Sequence, residues 1–200
     1  DGFGYRGVPL RPEPGGTLRV TVQRKCIARR LGRLTGAGLF AESARLGLED
    51  GGAETGVLGC DSVQVAAHRG RLFWLWGDTT LARHPLGIFH STAATTGERA
   101  LGSFEPPVRL RYEYFTDDRG LPRAVGRMPG DGPTWISACV SLPDGKGQAR
   151  LVASYMKIRP PLEAYEWGLC VWNEEKREFD RHRVLWTKSA EAPSPPPHPE

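Results

Sequence analysis

Short apolar runs and stretches of alternating apolar and polar residues, separated by glycine, proline and aspartate, dominate this chain. Alternation with period two predicts half-buried β-strands, and the intervening residues predict turns. In residues 17–22, Leu18, Val20 and Val22 alternate with polar neighbours, which predicts one strand. With its Gly- and Pro-rich approach it reads as the last strand of a truncated β-sandwich-like region over residues 1–24. Residues 25–56 change period: Ile27, Leu31 and Leu34 recur at helical spacing until Gly36 and Gly38 interrupt them, predicting a short helical linker.

From residue 57 onward the pattern returns to strands and turns. Strands are expected over 60–67, 72–76 and 88–95, with a fourth between 103 and 114. A second set repeats that order over 135–142, 150–156, 168–172 and 179–186, with Pro143-Asp144-Gly145-Lys146-Gly147 and Asn173–Arg177 as turns. The two sets are offset by roughly eighty residues, longer than the ~40–50 of short-repeat propellers. Meandering four-stranded units in series build propellers. The expected fold is therefore mainly β: a partial β-propeller of about two four-stranded antiparallel blades over 57–200, incomplete at its end, preceded by the linker and the single strand. A β-sandwich with a helical preface is the competing architecture. Because a blade alone leaves a hydrophobic face open, the rest of a longer polypeptide is expected to complete the ring. The proline-rich stretch from Ala192 to Pro199 cannot continue a sheet and reads as an inter-blade loop.

Composition narrows the function classes. In a chain of 200 residues, 39% hydrophobic and 25% charged residues are those of an ordinary globular domain. No apolar run approaches the ~20 residues of a membrane-spanning helix. The net charge of +4 comes from bases interspersed with acids, with a single denser cluster from Arg24 to Arg33, so nucleic acid is not an expected partner. Cys26, Cys60, Cys139 and Cys170 form no CxxC pair, which argues against a zinc site. No metal and no other cofactor is implied. Cys139 and Cys170 lie in apolar strand contexts, where a buried thiol is the default and a disulfide depends on whether their strands adjoin.

Two stretches carry a resemblance. Cys60-Asp61-Ser62-Val63, followed by Gly70-Arg71-Leu72-Phe73-Trp74-Leu75-Trp76-Gly77-Asp78-Thr79, resembles the first blade of the five-bladed propellers of the glycoside hydrolase group that includes levansucrases, invertases and arabinanases. The stretch from Gly132-Pro133-Thr134-Trp135-Ile136 to Glu166-Trp167-Gly168-Leu169 looks like a blade of related propeller proteins. The resemblance implies that Asp61 lines a central funnel as nucleophile or base, and that the protein meets a glycan in an extracellular or periplasmic setting. One departure bears on catalysis. The family's second blade usually opens with an Arg-Asp-Pro motif, whereas this chain reads Pro133-Thr134-Trp135-Ile136-Ser137. The family's general acid comes from a third blade. The implied function is thus carbohydrate interaction, with catalysis undecided; the alternative is a structural or protein-binding scaffold of a larger extracellular protein.

Glycoside cleavage needs two carboxyls flanking one bond. Asp61 is the catalytic candidate, its bland alternative being a residue that caps a turn. Asp78, Trp76, Trp135 and Glu166 are the substrate-binding candidates: carboxylates accept hydroxyl hydrogens, and an indole face suits the apolar face of a sugar ring. Core packing is the competing fate of each Trp. Glu163 beside Glu166 reads as solvated, His90 as structural, Lys157 and Arg159 as surface charge, and Asp117-Asp118 as hairpin chemistry in preference to a calcium loop.

Overall fold

Turn residues in the second half of the chain close antiparallel hairpins in the computed structural model, which describes residues 9–23, 28, 30–35, 46–47, 56–81, 84–98, 108 and 110–196, with backbone alone for 84–87. Strands β8 (Thr134–Pro143), β9 (Ala149–Arg159), β10 (Glu163–Asn173) and β11 (Glu178–Thr187) form one meander in the order β11-β10-β9-β8. The connections follow the local sequence. Asp144 Oδ1 accepts the Lys146 and Gln148 N–H groups at 2.8 and 2.9 Å, and Asn173 Oδ1 accepts those of Glu175 and Lys176 at 3.0 and 3.1 Å. Side chains that mimic a backbone turn in this way are why Asp and Asn stand there.

The earlier half forms a second four-stranded sheet, β2 (Val63–His68), β3 (Arg71–Trp76), β6 (Thr92–Gly97) and β7 (Glu113–Tyr114), in the order β2-β3-β6-β7. A third, three-stranded sheet joins β1 (Val57–Cys60), β4 (Thr79–Leu81) and β5 (His84–Ile88) in the order β1-β4-β5. This small sheet corrects the predicted strand over 60–67. Cys60 pairs with Thr79 in one sheet, whereas Val63 pairs with Trp76 in the other. The paired strands turn a corner together at Asp61-Ser62 and Gly77-Asp78. Ser62 takes φ of +42°, and a Cβ on Gly77 would collide with the Asp61 carboxylate. The predicted strand over 88–95 divides for the same reason, Ile88 ending β5 and Thr92 beginning β6.

The two four-stranded sheets pack face to face. Ala66, Phe73, Leu75, Ala93 and Phe115 meet Ile136, Leu151, Ala153, Tyr155, Cys170, Trp172 and Phe179 in one cluster. Phe73 is its centre, edge-on to Trp172 at 4.9 Å and to Phe179 at 6.0 Å. Burying one such ring contributes about 1.5–3 kcal/mol. Alternation along β3 sends Trp74 and Trp76 to the opposite face, where they pack with Tyr112, Tyr114 and Leu72. The β2-β3-β6-β7 sheet is therefore covered on both sides.

Two sequence expectations fail locally. Residues 17–22 carry no strand and pair with none among the described residues; Leu18, Val20 and Val22 stay 50, 52 and 83% exposed. Alternation suits a strand only when a neighbour supplies the ladder and a face to bury. The predicted linker helix is not seen among the described residues. Residues 30–35 are non-helical, and the Leu31 carbonyl is taken by the Val108 N–H at 2.6 Å, a tertiary bond in place of a helical one. Leu31 and Leu34 remain 48 and 44% exposed, so these two positions supply no buried face to drive helix formation. Residues 24–27, 29, 36–45 and 48–55 of that region lie outside the described residues. Among the described residues no helix is long and apolar enough to cross a membrane.

Candidate functional site

The corner between sheets places two acids side by side. Asp61 N–H donates to the Asp78 carbonyl at 3.0 Å, and Asp78 N–H returns a bond to Asp61 Oδ1 at 2.9 Å. Gly77 N–H lies between the Asp61 and Ser62 carbonyls at 3.1 and 3.2 Å. One Asp61 oxygen thus ties off the bend, and the residue is exposed. Asp78 Oδ1 is buried without a hydrogen-bond partner among the described residues. Burial first, and the charge of Asp61 second, hold the Asp78 carboxyl above the usual carboxylate range.

Strand β8 forms the opposite wall. Gln64 on β2 fastens it: Nε2 donates to the Ile136 carbonyl at 3.3 Å, and Oε1 accepts the Cys139 N–H at 3.2 Å. A register shift between Ser137 and Val140, with Ala138 at φ +51°, puts a bulge in β8 at that point. A bulge leaves backbone groups without ladder partners, and the amide of Gln64 supplies both a donor and an acceptor. Between the corner and β8 lies a cleft of about 290 Å³ lined by Asp61, Asp78, Gln64, Ser137, Met156 and Trp135, among others. Trp135 is 37% exposed, on the face of β8 beside Met156.

Three of the five sequence-predicted site residues therefore meet: Asp61, Asp78 and Trp135. The other two do not line this cleft. Trp76 is 2% exposed, stacked on Tyr114 at 5.5 Å in the core on the far face of the β2-β3-β6-β7 sheet. Glu166 accepts the Tyr155 hydroxyl hydrogen at 2.7 Å and faces Arg181 at 3.5 Å.

The remaining candidates settle into structural roles. Glu163 accepts from Lys188 and Arg159, and these two bonds draw its carboxyl down to about 2. His90 Nδ1 accepts the Thr134 N–H at 3.1 Å, which fixes its other nitrogen as the N–H. Burial, then Arg127 and Lys157, hold His90 below the ordinary imidazole value, so it sits neutral. Asp117 Oδ1 accepts the Arg119 and Leu121 N–H groups, closing a hairpin. Cys60, Cys139 and Cys170 are free thiols, and burial pushes Cys139 up to about 12.

Two features escaped sequence reasoning. Gln64 carries no signal separating it from a surface glutamine on an alternating strand. Lys157, read as surface charge, is 1% exposed. Its Nζ donates to the Met128, Gly130 and Gly132 carbonyls at 3.2, 3.0 and 2.8 Å. The glycine-rich loop 126–133 was the available hint, since a loop with inward carbonyls needs a buried donor.

Compared with known proteins, the chain matches no protein-family model and none of the curated proteins.

Proposed function

We propose that this protein binds carbohydrate in the cleft between the Asp61–Asp78 corner and Trp135, and that its two meanders are consecutive blades of a β-propeller like those of the hydrolases it resembles. The observation that carries the reading is the convergence of Asp61, Asp78 and Trp135, from three separate stretches, on one cleft of about 290 Å³. A half-exposed indole offers a stacking surface, and two acids offer acceptors for ring hydroxyls. The volume lies just below the range of ligand sites, roughly 300 to 1,000 Å³, which suits a single sugar ring. Adjacent blades bring successive four-stranded antiparallel sheets face to face, an arrangement shared with the β-sandwich that is the competing architecture.

Binding without turnover is favoured over hydrolysis. One oxygen of Asp61 is already committed to the bend, and Glu166 pairs with Tyr155 away from the cleft. The same resemblance is what favours an extracellular or periplasmic setting. The test is titration of the full chain with a panel of furanosides and their oligomers, followed by tryptophan fluorescence and by release of reducing ends. The expected result is saturable quenching that Trp135→Ala weakens about tenfold, the ~1.4 kcal/mol scale of one aromatic face contact, with no new reducing ends. Hydrolysis abolished by Asp61→Asn would convert the reading to an enzyme. Absence of saccharide binding would leave a scaffold role.

A further inference from the structure

A second cluster of reactive side chains lies where the two large sheets meet, with no lining residue in common with the carbohydrate cleft. His68, the last residue of β2, is buried, and its ring bridges two partners. Nδ1 lies 2.8 Å from Ser141 Oγ on β8, and Nε2 lies 3.3 Å from Glu174 Oε1 in the β10–β11 turn. The tautomer follows from the chemistry of the partners. A carboxylate only accepts, so Nε2 carries the hydrogen and donates it to Glu174. Nδ1 is then a lone pair, and Ser141 must be the donor towards it.

Glu174 is itself anchored. The Trp172 indole N–H donates to Oε2 at 3.1 Å, and Arg69 pairs with Oε1 at 3.0 Å. A hydroxyl donating to a base that a third, immobilised group orients is the arrangement that activates a serine nucleophile. On the His68 and Glu174 side of the cluster opens a cleft of about 320 Å³, bordered by His68, Arg69 and Glu174 and floored by Phe73, Phe115 and Trp172. Arg69 and Glu174 also border a larger groove of about 810 Å³ that reaches Leu142, the neighbour of Ser141. Arg69 commits one bond to Glu174 and another to the Ala149 carbonyl, leaving further N–H donors for a developing oxyanion.

We propose that Ser141, His68 and Glu174 form a serine acyl-transfer centre for small carboxylic esters, the aromatic floor taking the apolar part of the substrate. Ser141 Oγ bonds to the ester carbonyl carbon as its proton passes to His68 Nδ1, and Arg69 faces the oxyanion. The C–O bond to the alcohol breaks, and the alcohol leaves with that proton. Water then attacks the acyl group, giving its proton to His68. Release of the carboxylic acid returns the proton to Ser141.

The experiment exposes the folded full chain to a fluorophosphonate probe and maps the adduct by mass spectrometry, with hydrolysis of p-nitrophenyl acetate measured in parallel. A single adduct on Ser141 is expected, absent in Ser141→Ala. Glu174→Gln, at a half-exposed position, should keep the native near-UV circular dichroism and slow labelling on the order of 10²-fold or more. An unlabelled Ser141 in protein with native dichroism would overturn the proposal, as would Glu174→Gln labelling at the wild-type rate.

Discussion

Asp61 and Asp78 hold each other through a reciprocal pair of bonds, the Asp61 N–H to the Asp78 carbonyl and the Asp78 N–H to Asp61 Oδ1. The second bond needs an acceptor, not a charge. Asp61→Asn should therefore keep the corner intact, whereas Asp61→Ala should cost about 1 kcal/mol in urea denaturation. Equal losses for both variants would contradict that account of the bend.

The same pair sets a pH dependence. The Asp78 carboxyl is held above its unfolded value, so the folded chain keeps this proton where the unfolded chain has lost it. The contribution of Asp78 is fully present below the usual carboxylate range and fades as pH rises through the elevated folded value. Asp78→Asn mimics the protonated form. It should match wild type in acid and exceed it at neutral pH, measured as the denaturant midpoint at each pH. A variant less stable at neutral pH than in acid, relative to wild type, would reverse the sign.

Gln64 closes the bulge in β8 with a donor and an acceptor at once. Gln64→Leu leaves the Ile136 carbonyl and Cys139 N–H without that partner, a loss of about 1–3 kcal/mol. Hydrogen exchange at the Cys139 amide should accelerate in the same variant, which a general loss of packing would not single out.

Lys157 satisfies three inward carbonyls of the loop over 126–133. Lys157→Met keeps most of the volume and removes every donor, so about 2–4 kcal/mol should be lost. Gly132 belongs to the same device: its φ is +73°, and a Cβ would collide with the Ile158 carbonyl. Gly132→Ala should destabilise comparably, and thermal denaturation of both variants would show it.

Phe73 contacts Phe115, Trp172 and Phe179 between the two sheets. Phe73→Ala should cost about 3–5 kcal/mol. Trp74→Ala, on the opposite face of the same strand, should leave the contact between the sheets in place, visible as retained near-UV dichroism from Trp172.

Much of the β architecture was legible in residue order. Alternation and turn chemistry, such as Asp144 and Asn173 at the hairpins, are local properties, so the second meander appears strand for strand where the pattern puts it. Local pattern alone predicted too much elsewhere. Thr17–Val22 alternates without a partner strand among the described residues, and Leu31 gives its carbonyl to Val108 instead of to a helical turn. Nor does periodicity mark a corner: Cys60 and Val63 belong to one apolar run but to different sheets, because Gly77 lets the Asp61 carboxylate approach.

The sequence by itself determined the mainly β character, the strands and hairpin turns of the second half, and which acids and indoles were available for chemistry. Only the tertiary structure decided that Asp61, Asp78 and Trp135 share a cleft, that Trp76 and Lys157 are buried, and that His68 meets Ser141 and Glu174. The physical reason is that a strand's period specifies its two faces, whereas the partner of each face is chosen by contacts between residues far apart in the chain.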